Sequence, residues 1–200
     1  MFISKNIKKT AIISLVVGFV AVPLAAYAQE SDDDTTIITA QISSTISITT
    51  SPNVNIPVIP DVGGAQSSRS DTVEVSTNNS DGYTLTLENA DSDTELEGPG
   101  SNEIAAHDGT LDDPTVLADN SWGYAVPDWQ DFDETYSQLS SESSSSVWAG
   151  VPALGSKDVI GGSGGPVTED TTTVWYSVKV DTSKPDGNYV DTVLYTATTL

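Results

Sequence analysis

Thr171-Thr-Thr-Val-Trp-Tyr-Ser-Val-Lys-Val180, then Asp181-Thr-Ser-Lys-Pro-Asp-Gly187, then Asn188-Tyr-Val-Asp-Thr-Val-Leu-Tyr-Thr-Ala-Thr198 decide the fold class. In the first run Val174, Tyr176, Val178 and Val180 alternate with Trp175, Ser177 and Lys179. In the second, Tyr189, Val193, Tyr195 and Ala197 share one parity. A period of two in β-branched and aromatic residues belongs to strands that bury one face. Pro185 fixes φ and Gly187 permits positive φ, so the connector reads as a turn and the two runs as adjacent antiparallel strands.

The same pattern recurs upstream. Asp71–Thr77 and Gly82–Glu88 read as a hairpin closed by Asn78-Asn-Ser-Asp-Gly82, with Val73 and Val75 alternating in one strand and Tyr83, Leu85 and Leu87 in the other. Thr35–Thr50 places Ile38, Ala40, Ile42, Ile46 and Ile48 on one parity, as one half-buried strand or two broken near Ser43-Ser44. Val54-Asn-Ile-Pro-Val58 alternates again, and Pro57 makes it an edge strand or an extended segment. Ser121–Val126 is a further strand. Asn89–Asn120 and Pro127–Ser146 lose periodicity, the former with a short helical turn expected around Glu103–His107. With no long segment of helical period, the chain is expected to be an all-β antiparallel β-sandwich of Ig-like or Greek-key type, with two long loop insertions.

Met1–Ala28 reads as a signal peptide. Lys5, Lys8 and Lys9 form its basic start, Ala11–Leu24 its apolar stretch and Ala26-Tyr-Ala28 a cleavage site. Gln29–Asp34 is then an acidic flexible leader and 35–200 a single domain, expected outside the cell or at its surface. All 29 acidic residues lie beyond residue 28, with four of the seven basic ones. Such a charge repels nucleic-acid phosphates and anionic lipid, so neither is an expected partner. No membrane span is expected in the mature chain. Cysteine is absent, and about 170 residues are enough for a core without disulfides.

The residue inventory restricts chemistry. There is one histidine, His107, expected as a solvated side chain in a polar loop, and no Gly-x-Ser-x-Gly elbow to present a serine. No enzyme is expected. Without cysteine or further histidine, zinc lacks ligands, which leaves calcium as the one metal with suitable oxygen donors. Asp91, Asp93 and Glu95 place carboxylates at alternate positions, and Asp128, Asp131, Asp133 and Glu134 make a second cluster. Each reads either as a calcium-stabilised loop or as a solvated acidic loop, and no other cofactor is expected. Trp122, Tyr124, Trp129, Tyr136 and Trp148 lie within or beside the insertions. A planar apolar face with polar flanks suits sugar rings, and Trp129 and Tyr136 are the candidate ligand contacts. Trp122 and Trp148 are expected to plug the ends of the core.

Val73–Leu87, Asn120-Ser-Trp-Gly-Tyr124, Trp148-Ala-Gly-Val-Pro152 and Val178-Lys-Val-Asp-Thr-Ser-Lys-Pro-Asp-Gly-Asn-Tyr189 together resemble secreted β-sandwich surface proteins of Saccharibacteria-like bacteria of the candidate phyla radiation. The Pro185-x-Gly187-x-Tyr189 ending is also similar to WxL-type surface domains, which associate with the cell wall without a covalent link. The four tryptophans here precede Gly-Tyr, Gln-Asp, Ala-Gly and Tyr-Ser, so the Trp-x-Leu signature itself is lacking. The resemblance implies a non-catalytic adhesion or interaction module at the bacterial envelope, taking a cell-wall polymer, a glycan or a surface protein. The alternative is a structural subunit that associates with itself by strand addition from Thr35–Thr50.

Overall fold

The computed structural model describes residues 30–127 and 129–200; the expected signal peptide and Asp128 lie outside the described residues. The chain divides into two units, Met1–Gln41 and Ile42–Leu200. In the first, residues 30–41 carry no strand and are exposed.

The second unit is all-β, with no helix among the described residues. Its strands are β1 (Ile46–Thr49), β2 (Ala65–Thr77), β3 (Tyr83–Asn89), β4 (Leu96–Glu97), β5 (Glu103–Ala106), β6 (Thr115–Val116), β7 (Ser121–Ala125), β8 (Leu139–Glu142), β9 (Val147–Trp148), β10 (Asp158–Ser163), β11 (Val167–Val180) and β12 (Val193–Thr199). The largest sheet runs β1-β2-β11-β7-β5-β4, with β8 also paired to β2; a second runs β10-β3-β12, and β6 pairs β9. All ladders are antiparallel except β5 with β7.

The long strands β2 and β11 align from Val75 opposite Asp170 to Ala65 opposite Val180. Their alternating residues explain the pairing: Val73, Val75 and Val174 are fully buried. Leu85 and Leu87 of β3 and Ile160 of β10 bring the second sheet into the same buried cluster. Tyr176 on β11 and Tyr195 on β12 add a polar link, their hydroxyls 2.6 Å apart.

Both expected hairpins are corrected. β11 pairs β2 and β7, whereas β12 pairs β3, so Asp181–Thr192 carries the chain from one sheet to the other. Likewise β2 and β3 are not neighbours, and Asn78–Gly82 also crosses between sheets. The reason is competition for edges. β11 occupies one edge of β2 while β1 and β8 share the other, and β3 is flanked by β10 and β12. Leu85 and Leu87 therefore enter the core from a different sheet than Val73 and Val75.

Three other expectations change. Of Thr35–Thr50 only Ile46–Thr49 is strand, because its partner β2 ends at Thr77, opposite Ile46. Beyond that rung the Asn78 side chain substitutes for a strand, accepting from Thr45 N–H (2.7 Å) and donating to the Ser43 carbonyl (2.9 Å). Glu103–Ala106 is strand instead of a helical turn, held by β4 and β7. The two insertions are also partly built into the sheets. The first supplies β4 and β5, and the serine-rich end of the second supplies β8, whose approach is anchored by Ser141 N–H donating to Ser67 Oγ at 2.8 Å. Val54, Ile56 and Val58 form an extended segment, half-buried in alternation and outside every named strand.

Thr72 and Thr173 face each other across β2 and β11, both exposed. Cysteines at these two positions should oxidise to a disulfide, because paired strands hold Cα atoms within bridging range. The pair Thr72→Cys with Glu88→Cys, which a β2–β3 hairpin would place opposite each other, should stay reduced. Mass spectrometry before and after alkylation reads both, and the reverse pattern would restore the hairpin.

Candidate functional site

Two consecutive turns follow β7. Trp129 N–H donates to the Val126 carbonyl, and Phe132 N–H to that of Trp129, each at 3.2 Å. Phe132 is buried and meets Tyr124 edge-to-face, with centroids 5.7 Å apart, so the loop is pinned by one apolar anchor. That anchor leaves Trp129 half-buried, with its indole N–H donating to the Val159 carbonyl of β10 at 2.9 Å. Farther on, Tyr136 packs edge-to-face on buried Trp148, centroids 5.1 Å apart. Its hydroxyl donates to the Val147 carbonyl (2.7 Å) and accepts from Asp133 N–H (3.2 Å). Burial pushes the Tyr136 hydroxyl above its ordinary pKa, so it remains protonated.

Trp129 and Tyr136, singled out in the sequence, line one cleft of about 580 Å3 between β10 and β11. Trp175 lines it too, with the hydroxyl run Thr171–Thr173 and the carboxylates Glu134 and Asp170. Asp170 accepts from the Tyr83 hydroxyl at 2.8 Å, which holds that carboxylate in place. Gly161 belongs to the same wall: a Cβ there would lie 3.0 Å from Thr172 Oγ1. Its missing side chain keeps β10 and β11 close enough to share the cleft. No lysine or arginine is among the lining residues.

Trp175 and the three threonines were not among the candidates that the sequence offered. A signal was present. Trp175 stands on the opposite parity to Val174, Tyr176 and Val178, which are buried, and is itself only half-buried. Trp122 and Trp148 are buried as expected, at 3% and 1% exposure, and their rings belong to the core.

The acidic candidates play local roles. Asp91 Oδ1 accepts from Asp93 N–H (2.9 Å), and Asp93 Oδ1 from Glu95 N–H (3.2 Å), so each carboxylate turns back on the backbone two residues ahead. Asp133 Oδ2 accepts from Val147 N–H at 3.0 Å, and Asp131 is exposed. A hydrogen bond with Glu103 raises the Glu95 pKa. Among the described residues no three acidic or histidine side chains gather to hold a metal ion.

His107 is buried, at 7% exposure, which corrects its expected place in a solvated loop. Gly150 explains how: a Cβ there would lie 2.0 Å from the His107 carbonyl, so only glycine lets that segment cover the histidine. Nδ1 accepts from Ala118 N–H at 3.4 Å, which assigns the proton to Nε2, 2.9 Å from Thr115 Oγ1. The ring lines a second cavity of about 580 Å3 with Glu95 and Asp158. Burial raises the Asp158 pKa, opposed by the hydrogen bond it accepts from Tyr124 at 2.7 Å.

No protein-family model, curated protein or solved structure matches the chain.

Burial lowers the His107 pKa. A depressed histidine pKa means the unfolded chain binds more protons below its ordinary value of about 6.5, so this residue's contribution is full above that pH and falls as pH drops below it. At pH 6, where an unperturbed imidazole is about three-quarters charged, the imidazole signal of the folded chain should lie closer to its neutral chemical shift than that of an unperturbed imidazole. An NMR titration midpoint at or above 6.5 would contradict the buried, neutral ring.

Proposed function

We propose that this chain is an exported, non-catalytic binding module of the bacterial envelope, and that the cleft at Trp129, Tyr136 and Trp175 takes a glycan. The observation that carries the reading is the meeting of three aromatic side chains with hydroxyl and carboxylate groups in one cleft. Sugar rings present C–H faces that pack on aromatic rings and rims of hydroxyls that need hydrogen-bond partners. Thr171–Thr173 supply both donors and acceptors, while Glu134 and Asp170 supply acceptors. A lining with carboxylates and no lysine or arginine disfavours phosphate-bearing or uronic polymers, so the preferred ligand is a neutral or amino-sugar glycan.

Export through a signal peptide cleaved after Ala28 and a sandwich-like arrangement of the sheets belong to the same proposal. Shared entry of Leu85, Leu87, Val73, Val75 and Val174 into one cluster supports the sandwich. The sequence blocks similar to secreted surface proteins, and the excess of acids beyond residue 28, support the location. Calcium, if it associates, does so as a stabiliser of the acidic loops rather than in the chemistry of the cleft.

Binding to a panel of neutral, amino-sugar and anionic glycans, read by tryptophan fluorescence, tests this. Neutral or amino-sugar members should bind. Trp175→Ala should weaken binding about tenfold, roughly the 1.4 kcal/mol of one stacked ring. Trp129→Phe, which keeps a ring but loses the indole donor, should weaken it less. Circular dichroism and melting curves separate lost contacts from lost fold. Binding unchanged in the Trp175 variant, or confined to anionic glycans, would reject the cleft as the site.

A further inference from the structure

We infer that a second copy of this chain is a partner, joined by addition of residues 37–44 of one copy as a strand to the unladdered edge of β12 in the next. The donor is unusual among the described residues. Ile37, Ile38 and Ile42 are 91%, 90% and 85% exposed, and residues 30–45 belong to no strand. Ile38, Ala40 and Ile42 keep the parity that Ile46 and Ile48 continue into β1. The β1 ladder stops at Ile46 because β2 ends at Thr77 and its chain turns away at Asn78. A strand-patterned apolar segment is thus left with its backbone donors and acceptors unladdered.

The acceptor is β12, which among the described residues pairs with β3 alone and ends the three-stranded sheet. Neighbouring β3 is almost wholly buried, yet Val193, Tyr195 and Ala197 on the core-facing parity of β12 are only partly so. β1, four residues long, approaches β12 without forming a ladder to it. One further strand with three apolar residues on alternate positions would complete that cover, and residues 37–44 are long enough to span the seven of β12.

Charge points the same way. Copies of a chain with formal charge −22 repel one another. Thr35–Pro60 nevertheless contains no charged residue, and neither does Val193–Thr199, so both surfaces are neutral where they would meet. Donor and acceptor are different surfaces, which makes the contact head-to-tail, and its product a ring or an open filament.

This contact is independent of the glycan cleft, and sedimentation of the secreted chain over a range of concentrations tests it alone. The chain should form concentration-dependent oligomers. A donor variant, Ile38→Asp with Ile42→Asp, should sediment as a monomer. An acceptor variant, Ala197→Lys, should also be monomeric, because an inward lysine guards a sheet edge. An equimolar mixture of the two should give dimers and nothing larger, since only one donor and one acceptor remain. A monomeric parent chain, or a donor variant that assembles like the parent, would overturn the inference. Should Ala197→Lys fail to fold by circular dichroism, the donor variant decides on its own.

Discussion

The pairing of β2 with β11 is the constraint on which the rest of this structure depends. Two strands of 13 and 14 residues run together for most of their length, with Val73, Val75 and Val174 removed from water on their inner faces. Burying three such side chains contributes roughly 1.5–3 kcal/mol each, and every ladder bond between them satisfies groups that burial would otherwise leave costly. Once β11 holds one edge of β2, the remaining edges are allotted. β7 takes the far side of β11, while β1 and β8 divide the far side of β2. Shorter strands take the remaining places: β8 pairs with β2, β5 with β7 and β4, and β6 with β9.

The cleft follows from that scaffold. Trp175 and Thr171–Thr173 stand on β11 itself, while Gly161 comes from β10 of the other sheet and Trp129 and Tyr136 from the loop after β7. Two contacts set the loop's position, Phe132 against Tyr124 and the Trp129 indole on the Val159 carbonyl. Tyr136 is less free than its sequence context implies, since its hydroxyl is engaged on the Val147 carbonyl and its ring on Trp148. It shapes the cleft wall, whereas Trp129 and Trp175 present larger half-buried ring surfaces to it. The acids of 91–95, by contrast, are absorbed by their own turns.

Burial at the N-terminal end of β2 takes a different form. Gln66, Ser67 and Ser68 are fully buried although polar, because both edges of the strand are covered there. Gln66 Nε2 donates to Ser177 Oγ at 2.9 Å, and Ser177 Oγ to the Ser67 carbonyl at 3.0 Å, whereas Gln66 Oε1 is buried without a partner among the described residues. Ser67 and Ser68 also receive the incoming backbone of β8 and its flank. No run of alternating hydrophobics marks this region as core. Its burial is a consequence of strand pairing, which composition does not report.

From the sequence by itself the class of the fold and much of the inward-facing set were legible. Alternation at 73–75, 83–87 and 174–180 identifies buried parities directly, because a strand's side chains have a period of two whatever lies beside it. Trp129 and Tyr136 could likewise be picked out as aromatic residues in polar surroundings. Which strand neighbours which was decided only by the tertiary structure. Asn78–Gly82 and Asp181–Gly187 both promise a hairpin, and both instead lead the chain into a different sheet. Local turn chemistry sets φ and ψ over a few residues, whereas the partner at a strand's edge is set by all the other strands competing for it. The burial of His107 and the meeting of Trp175 with Trp129 were settled in the same way, by close packing of segments distant in the chain.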